Sequence, residues 1–74
     1  MDDLPPVIRL ANEIAVQFEH KPHDAAVAAV AQHINSFWDP RMRRSLIELA
    51  DSHRGDLEEI VFDVIPKLRQ PAGG

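Results

Sequence analysis

One stretch of the sequence concentrates the side chains best suited to molecular recognition. Residues 37–44 read Phe-Trp-Asp-Pro-Arg-Met-Arg-Arg and include the only Trp of the chain and three of its six Arg. Trp and Arg are enriched among the few side chains that carry most of the binding energy at protein interfaces. The stretch therefore predicts a surface that binds a partner.

The sequence offers little for catalysis. Hydrolytic and acid–base enzymes need a nucleophile with a base, or two carboxylates that converge in a pocket. The chain has no Cys, Thr or Tyr, and the adjacent Glu58 and Glu59 would diverge by about 100° on a helix. The only Gly are Gly55, Gly73 and Gly74, so no glycine-rich phosphate loop is present. We expect no catalytic site and no cofactor-binding site in this chain.

Four His raise the question of metal binding. His20 and His23 lie three residues apart in a Pro-containing break, whereas a zinc site needs three or four convergent ligands. We expect both to be solvated loop side chains and predict no metal site. His33, on the polar side of the second predicted helix, and His53, on the inner side of the third, are expected to be structural.

Apolar residues recur at helical spacing along the chain and predict the elements that position this stretch. The first helix is expected from Pro6 to Glu19, where a Pro fits the first turn. The second is expected from about Ala25 to Phe37, with Asp24 as its N-cap. Phe37 and Trp38 continue the apolar stripe of this second helix and are expected to close it.

A third helix is predicted from its start signals. Asp39 can accept hydrogen bonds from the first main-chain N–H groups, and Pro40 fits the first helical position. Gly55 is a plausible stop for this helix.

A fourth helix is predicted behind a capping box, in which Asp56 takes the Ser/Thr place and Glu59 follows three residues later. Pro66 predicts an end or a kink near Ile65, with a short continuation to Gln70. Since no alternating strand pattern occurs, the predicted fold class is all-α, a compact small domain of three to four short helices.

Length and charge restrict the kinds of partner. The 74 residues predict a single domain, 1–74, with residues 1–5 and 70–74 as flexible tails. A core of this size rarely supplies more than about 3–5 kcal/mol, and there is no Cys for a disulfide, so docking on a larger partner or oligomerisation is expected. The net charge of −4 argues against nucleic acid as the main partner.

The expected location is the cytoplasm. No apolar run approaches the roughly 20 residues of a membrane span, so no membrane partner is expected. The acidic first residues lack the pattern of a signal peptide.

The three clustered arginines are predicted to differ in role. All lie at the start of the third helix, where a positive charge opposes the helix dipole. On a helical wheel Arg41 and Arg44 share the outer face, while Arg43 lies beside the core stripe. One Arg could brace the domain while two reach an acidic or carbonyl-rich partner. Asn12, at the margin of the first helix's apolar stripe, is a candidate for a hydrogen bond to another segment.

Two other functions compete with this interpretation. Three helices with Arg at the start of the third resemble a helix-turn-helix DNA reader, although the acidic total and the Asp-Pro break between helices count against it. A self-associating helical scaffold is the second alternative.

The motifs resemble a known family. Residues 37–43 are similar to the F-W-[DE]-P-R-M-R signature of the delta subunit of soluble, NAD-dependent formate dehydrogenases that contain molybdenum or tungsten. Residues 10–14, Leu-Ala-Asn-Glu-Ile, resemble that family's M-A-N-Q-I block, with Leu and Glu in place of Met and Gln. Residues 31–34, Ala-Gln-His-Ile, resemble its A-x-H-[IL] block. The likeness covers about residues 7–50.

The resemblance implies a small accessory subunit that is not an enzyme by itself. It implies docking on the catalytic alpha subunit, which carries bis-molybdopterin guanine dinucleotide with Mo or W and iron–sulfur clusters. Beta and gamma subunits would bring FMN and the NAD site, and the complex would convert formate and NAD to CO2 and NADH. The accessory subunit would support assembly, stability or metal-cofactor insertion. The predicted partner-binding residues are Asn12, Phe37, Trp38, Pro40, Arg41, Met42, Arg43 and Arg44.

Overall fold

Four α-helices form the protein in the computed structural model, which describes residues 4–68. They are α1 (Pro6–Phe18), α2 (His23–Phe37), α3 (Pro40–Ala50) and α4 (Glu59–Val64). Two 3₁₀ turns, Arg54–Asp56 and Ile65–Lys67, flank α4. No strand occurs within residues 4–68, and the predicted all-α class is confirmed.

Proline and aspartate set the starts of α1 and α3 as predicted. Pro6 is the first residue of α1, and the Pro5 carbonyl accepts from the N–H groups of Ile8 and Arg9 at 3.0 and 3.2 Å. In α3 the side chain of Asp39 accepts from the Met42 N–H at 2.9 Å. Both starts depend only on neighbouring residues, because a cap is a local hydrogen bond.

The predicted start of α2 is wrong by two residues. The helix begins at His23, and Asp24 lies within its first turn instead of capping it. The reason is Pro22, which takes the N-cap position with an extended backbone (φ −53°, ψ 149°). Its carbonyl accepts from the Ala26 N–H at 2.9 Å. Asp24 instead places a negative charge at the positive end of the helix dipole.

The region after α3 also departs from expectation. α3 ends at Ala50, well before Gly55, which lies in the first 3₁₀ turn. Asp56 belongs to that turn and Glu59 is the first residue of α4, so the predicted capping box is absent.

The predicted break before Pro66 is confirmed. α4 ends at Val64, and the 3₁₀ turn carries the chain from Ile65 to Lys67. Leu68 is extended, so the helical path stops at Lys67. The predicted continuation to Gln70 lies outside the described residues.

The core is built from the apolar stripes of all four helices. Side chains with no solvent exposure include Ile8 of α1, Ile34 of α2, Leu46 of α3 and Val61 of α4. No polar or charged residue is buried among residues 4–68. The predicted place of Phe37 on the buried apolar stripe is wrong, since Phe37 is 75% exposed at the end of α2. The next residue, Trp38, is buried in the core and is 8% exposed.

Both ends of the described chain pack against this core. Leu4 packs against it, and so does the buried Leu68. Residues 1–3 and 70–74 of the expected tails lie outside the described residues. Among the described helices, none has the length and apolar character needed to cross a lipid bilayer.

Candidate functional site

Two residues, Trp38 and Asp39, form the corner between α2 and α3 at which the predicted recognition stretch lies. The Trp38 N–H donates to the Ile34 carbonyl at 2.9 Å and so completes α2. Its backbone then becomes extended (φ −89°, ψ 139°), and its ring lies in the core. The corner is therefore fixed to the core by its one large buried side chain.

Arg43 braces this corner from α3. Its Nη1 donates to the Trp38 carbonyl at 2.7 Å, and the guanidinium is half-buried. A hydrogen bond from a charged donor is stronger than a neutral one. The predicted internal role for one of the three arginines is confirmed, and Arg43 is that residue.

Arg41 and Arg44 are exposed, as the helical wheel predicts. Among residues 4–68 the ion pairs are His23–Asp63, His53–Asp56 and Arg54–Asp51. Neither Arg41 nor Arg44 takes part in one. Both guanidinium groups are therefore available to an external anion at the positive end of α3.

The apolar side chains of the corner divide between surface and core. Phe37 projects into solvent, and its ring lies 4.9 Å from that of His33 at an interplanar angle of 40°. Pro40 is exposed beside it in the chain. Met42 is half-buried and packs against the core. The exposed residues of the corner are Phe37, Asp39, Pro40, Arg41 and Arg44, and we call Phe37, Pro40, Arg41 and Arg44 the corner surface.

Asn12 joins α1 to the segment between the first 3₁₀ turn and α4. Its Nδ2 donates to the Asp56 carbonyl at 2.7 Å, and its Oδ1 accepts from the Glu58 N–H at 2.9 Å. The predicted hydrogen bond to another segment is confirmed. Both polar ends of the side chain are thus engaged inside the domain, and contact of Asn12 with a partner stays a prediction.

His23 is solvent-exposed, as expected, but it lies in a helix and not in a loop. It is the first residue of α2, and its Nε2 lies 2.6 Å from Oδ2 of Asp63 in α4. The hydrogen bond to Asp63 is the main cause that raises the pKa of His23 above 6.5, and the nearby charges of Asp24 and Glu59 add to it. Within the described part of the chain, no group of three or more possible ligands converges as a metal would require.

The comparison with known families decides the assignment. Residues 6–65 match the family described as the NADH-dependant formate dehydrogenase delta subunit FdsD. The chain belongs to this family. No curated protein and no solved structure matches it.

The matched region of this FdsD chain includes the whole corner surface and Asn12. It also includes an open groove of about 430 Å³ that sequence reasoning missed. The groove is lined by Phe18, Ala29, Gln32, His33, Ser36 and Phe37. A signal for it exists in the sequence, because Ala29 and Ser36 are small residues seven apart and so lie on one face of α2.

Proposed function

We propose that this FdsD chain is a non-catalytic accessory subunit of a cytoplasmic, NAD-dependent formate dehydrogenase complex. It docks on the catalytic alpha subunit, within a complex that also holds beta and gamma subunits and converts formate and NAD to CO2 and NADH. Its role is to support assembly, stability or metal-cofactor insertion. The observation that carries the proposal is the exposed ring of Phe37, followed in the chain by two exposed arginines that form no ion pair among residues 4–68.

The energetics of Phe37 favour a covered state. Its 75% exposure is the largest among the exposed large apolar residues of the described chain. Full burial of a Phe side chain against a partner gives roughly 1.5–3 kcal/mol. Phe37 is the last residue of α2 and its ring lies outside the core, so the position is suited to an interface anchor.

The cofactors of the reaction are assigned to the other subunits. Bis-molybdopterin guanine dinucleotide with Mo or W and the iron–sulfur clusters would belong to alpha, and FMN and the NAD site to beta and gamma. The sequence is compatible with such a division, because the chain has no Cys to hold an iron–sulfur cluster.

Co-purification tests the proposal. The affinity-tagged chain is expressed with the formate dehydrogenase subunits, and the eluate is assayed for formate-dependent NAD reduction. We expect the wild-type chain and the control variant Arg54→Ala to retain the enzyme. Phe37→Ala and the double variant R41A/R44A should lose most of it. A wild-type chain that elutes alone as a monomer would overturn the proposal.

A salt titration distinguishes the nucleic-acid alternative. Phosphate contacts are strongest at low salt, so anisotropy of labelled duplex DNA is measured at about 50 mM salt. We expect no change of anisotropy when the chain is added. Salt-sensitive DNA binding by a chain that fails to co-purify with the enzyme would replace our proposal.

A further inference from the structure

The groove along α2 lies next to the corner surface and shares Phe37 with it. Phe18, at the end of α1, and Phe37, at the end of α2, supply its aromatic surface. Ala29 and Ser36 are small, and this leaves room between the two rings. Phe18 is half-buried and Phe37 is exposed. The groove is therefore open, is lined by both apolar and polar residues, and has room for a large apolar side chain.

The two exposed arginines follow this groove directly in the chain. Arg41 is four residues after Phe37, so their Cα atoms are at most about 14 Å apart. Asp39, the acidic residue between them, already accepts from the Met42 N–H at 2.9 Å as the N-cap of α3. Glu48, one turn beyond Arg44, forms no ion pair with it among residues 4–68. Arg41 and Arg44 therefore follow the groove in the chain and form no ion pair among residues 4–68, and the exposed carboxylate of Asp39 lies between Phe37 and Arg41 in the sequence.

We propose that the groove and the two arginines form one docking site for an acidic segment of a partner subunit. The segment places a bulky apolar side chain between Phe18 and Phe37. Within about four residues it carries one or more carboxylates that pair with Arg41 and Arg44. Charge complementarity selects this occupant, because the helix dipole of α3 adds to the positive charge of the arginines. The inference rests on the proposed function and specifies the chemical character of the partner segment that docks.

Matched substitutions on α2 test the groove separately from the corner surface. Ala29→Leu fills the groove, whereas Ala28→Leu makes the same change one position along α2, in a groove lined by Asp24 and Asp63. Both keep helix propensity high. We expect Ala29→Leu to weaken retention of the partner by about tenfold or more. Ala28→Leu should stay within about twofold of wild type.

The outcomes separate the two proposals. If Ala29→Leu binds like wild type while R41E/R44E loses binding, the corner surface stands and the groove inference fails. If neither variant changes retention, neither the groove nor the two arginines contact the partner, and the inference fails. If the wild-type chain retains no partner at all, the proposed function fails first. Thermal unfolding of each variant alone shows whether a loss of binding is a loss of folding.

Photo-crosslinking identifies the occupant. A benzoylphenylalanine replaces the exposed Gln32, which lines the groove, and the assembled complex is irradiated and digested. We expect a crosslinked peptide of a partner subunit with Asp or Glu within about four residues of the attached apolar residue. A peptide without carboxylates, a crosslink to a second copy of this chain, or an equal yield from the same probe at Ala28 would overturn the inference.

Discussion

The guanidinium of Arg43 donates to the main-chain carbonyl of Trp38 at 2.7 Å, and the main-chain N–H of Arg43 donates to the Asp39 carbonyl at 3.1 Å. One residue of α3 thus holds both residues of the corner. The ring of Trp38 anchors the same corner from inside. Phe37, which directly precedes the corner, is consequently presented outward with a defined position relative to Arg41 and Arg44.

Arg43→Ala is expected to lower the free energy of unfolding by about 1–2 kcal/mol, because a charged hydrogen bond in a half-buried position is lost. Urea denaturation followed by the fluorescence of the single Trp measures the change. Arg41→Ala and Arg44→Ala should stay within about 0.5 kcal/mol of wild type, since both residues are exposed. Equal destabilisation by all three variants would contradict the bracing role.

Arg43→Ala should also reduce retention of the enzyme complex, and more than Arg54→Ala does. Arg54 lies 3.7 Å from Asp51 in an exposed pair, and such pairs contribute little. Arg43→Lys provides a further comparison, since a lysine keeps the charge but presents a different donor geometry. We expect it to recover part of the stability lost in Arg43→Ala.

The sequence predicts those parts of the fold that depend on local interactions. Pro6 and the Asp39–Pro40 pair give correct helix starts because their effect is confined to neighbouring backbone groups. The inner and outer positions of Arg43 and Arg41 follow from helical geometry alone. The capping box at Asp56 was wrong because a distant residue takes over: the Glu58 N–H donates to Asn12, 46 positions away. No local pattern could indicate that partner.

Phe37 and His23 show the same limit at the candidate site. Helical periodicity placed Phe37 on the buried stripe, but α2 ends at this residue and the core takes Trp38 in its place. The Pro22 break predicts a loop at His23, and no local pattern indicates its partner Asp63, which lies 40 residues away in α4. Small residues of α2 mark one side of the groove in the sequence, but Phe18 of α1 joins its lining only when α1 packs on α2.

Asn12→Ala is expected to destabilise the protein by about 1–2 kcal/mol, because the Asp56 carbonyl and the Glu58 N–H lose a shared partner. Asn12→Asp should cost more at neutral pH, since its carboxylate would face the Asp56 carbonyl oxygen. Urea unfolding is the measurement, with exchange of the Glu58 amide proton as a local readout. Gln17→Ala, on the exposed face of α1, is the control. Faster exchange in the control alone would contradict the assignment.

Stability is expected to fall as the pH rises above 6.5 because of His23. Hydrogen bonding to Asp63 raises its pKa in the folded state above the ordinary value of 6.5. The folded chain therefore holds this proton more tightly than the unfolded chain does. The resulting stabilisation is complete below pH 6.5 and is lost as the pH rises through the folded-state pKa. Urea midpoints between pH 5.5 and 8.5 measure the loss, and NMR titration of the His23 ring measures the pKa.

Asp63→Asn is the matched variant for this pH dependence. It keeps the size of the side chain but removes the negative charge that stabilises the protonated imidazole. We expect the pKa of His23 to fall in this variant and the urea midpoint to vary less with pH. An identical pH dependence in both proteins would show that the pair does not control stability.

Phe37 and Trp38 are adjacent, yet their truncation should have opposite consequences. Trp38→Ala removes a core ring and is expected to cost about 3–5 kcal/mol, which is comparable with the whole stability of a domain this small. Phe37→Ala removes an exposed ring and should leave the free energy of unfolding within about 0.5 kcal/mol of wild type. The folded Phe37→Ala chain should nevertheless lose the enzyme complex in co-purification. Because Trp38 remains in that variant, its unchanged fluorescence reports an intact core in the sample that fails to bind, and full retention of the complex would exclude Phe37 as an anchor.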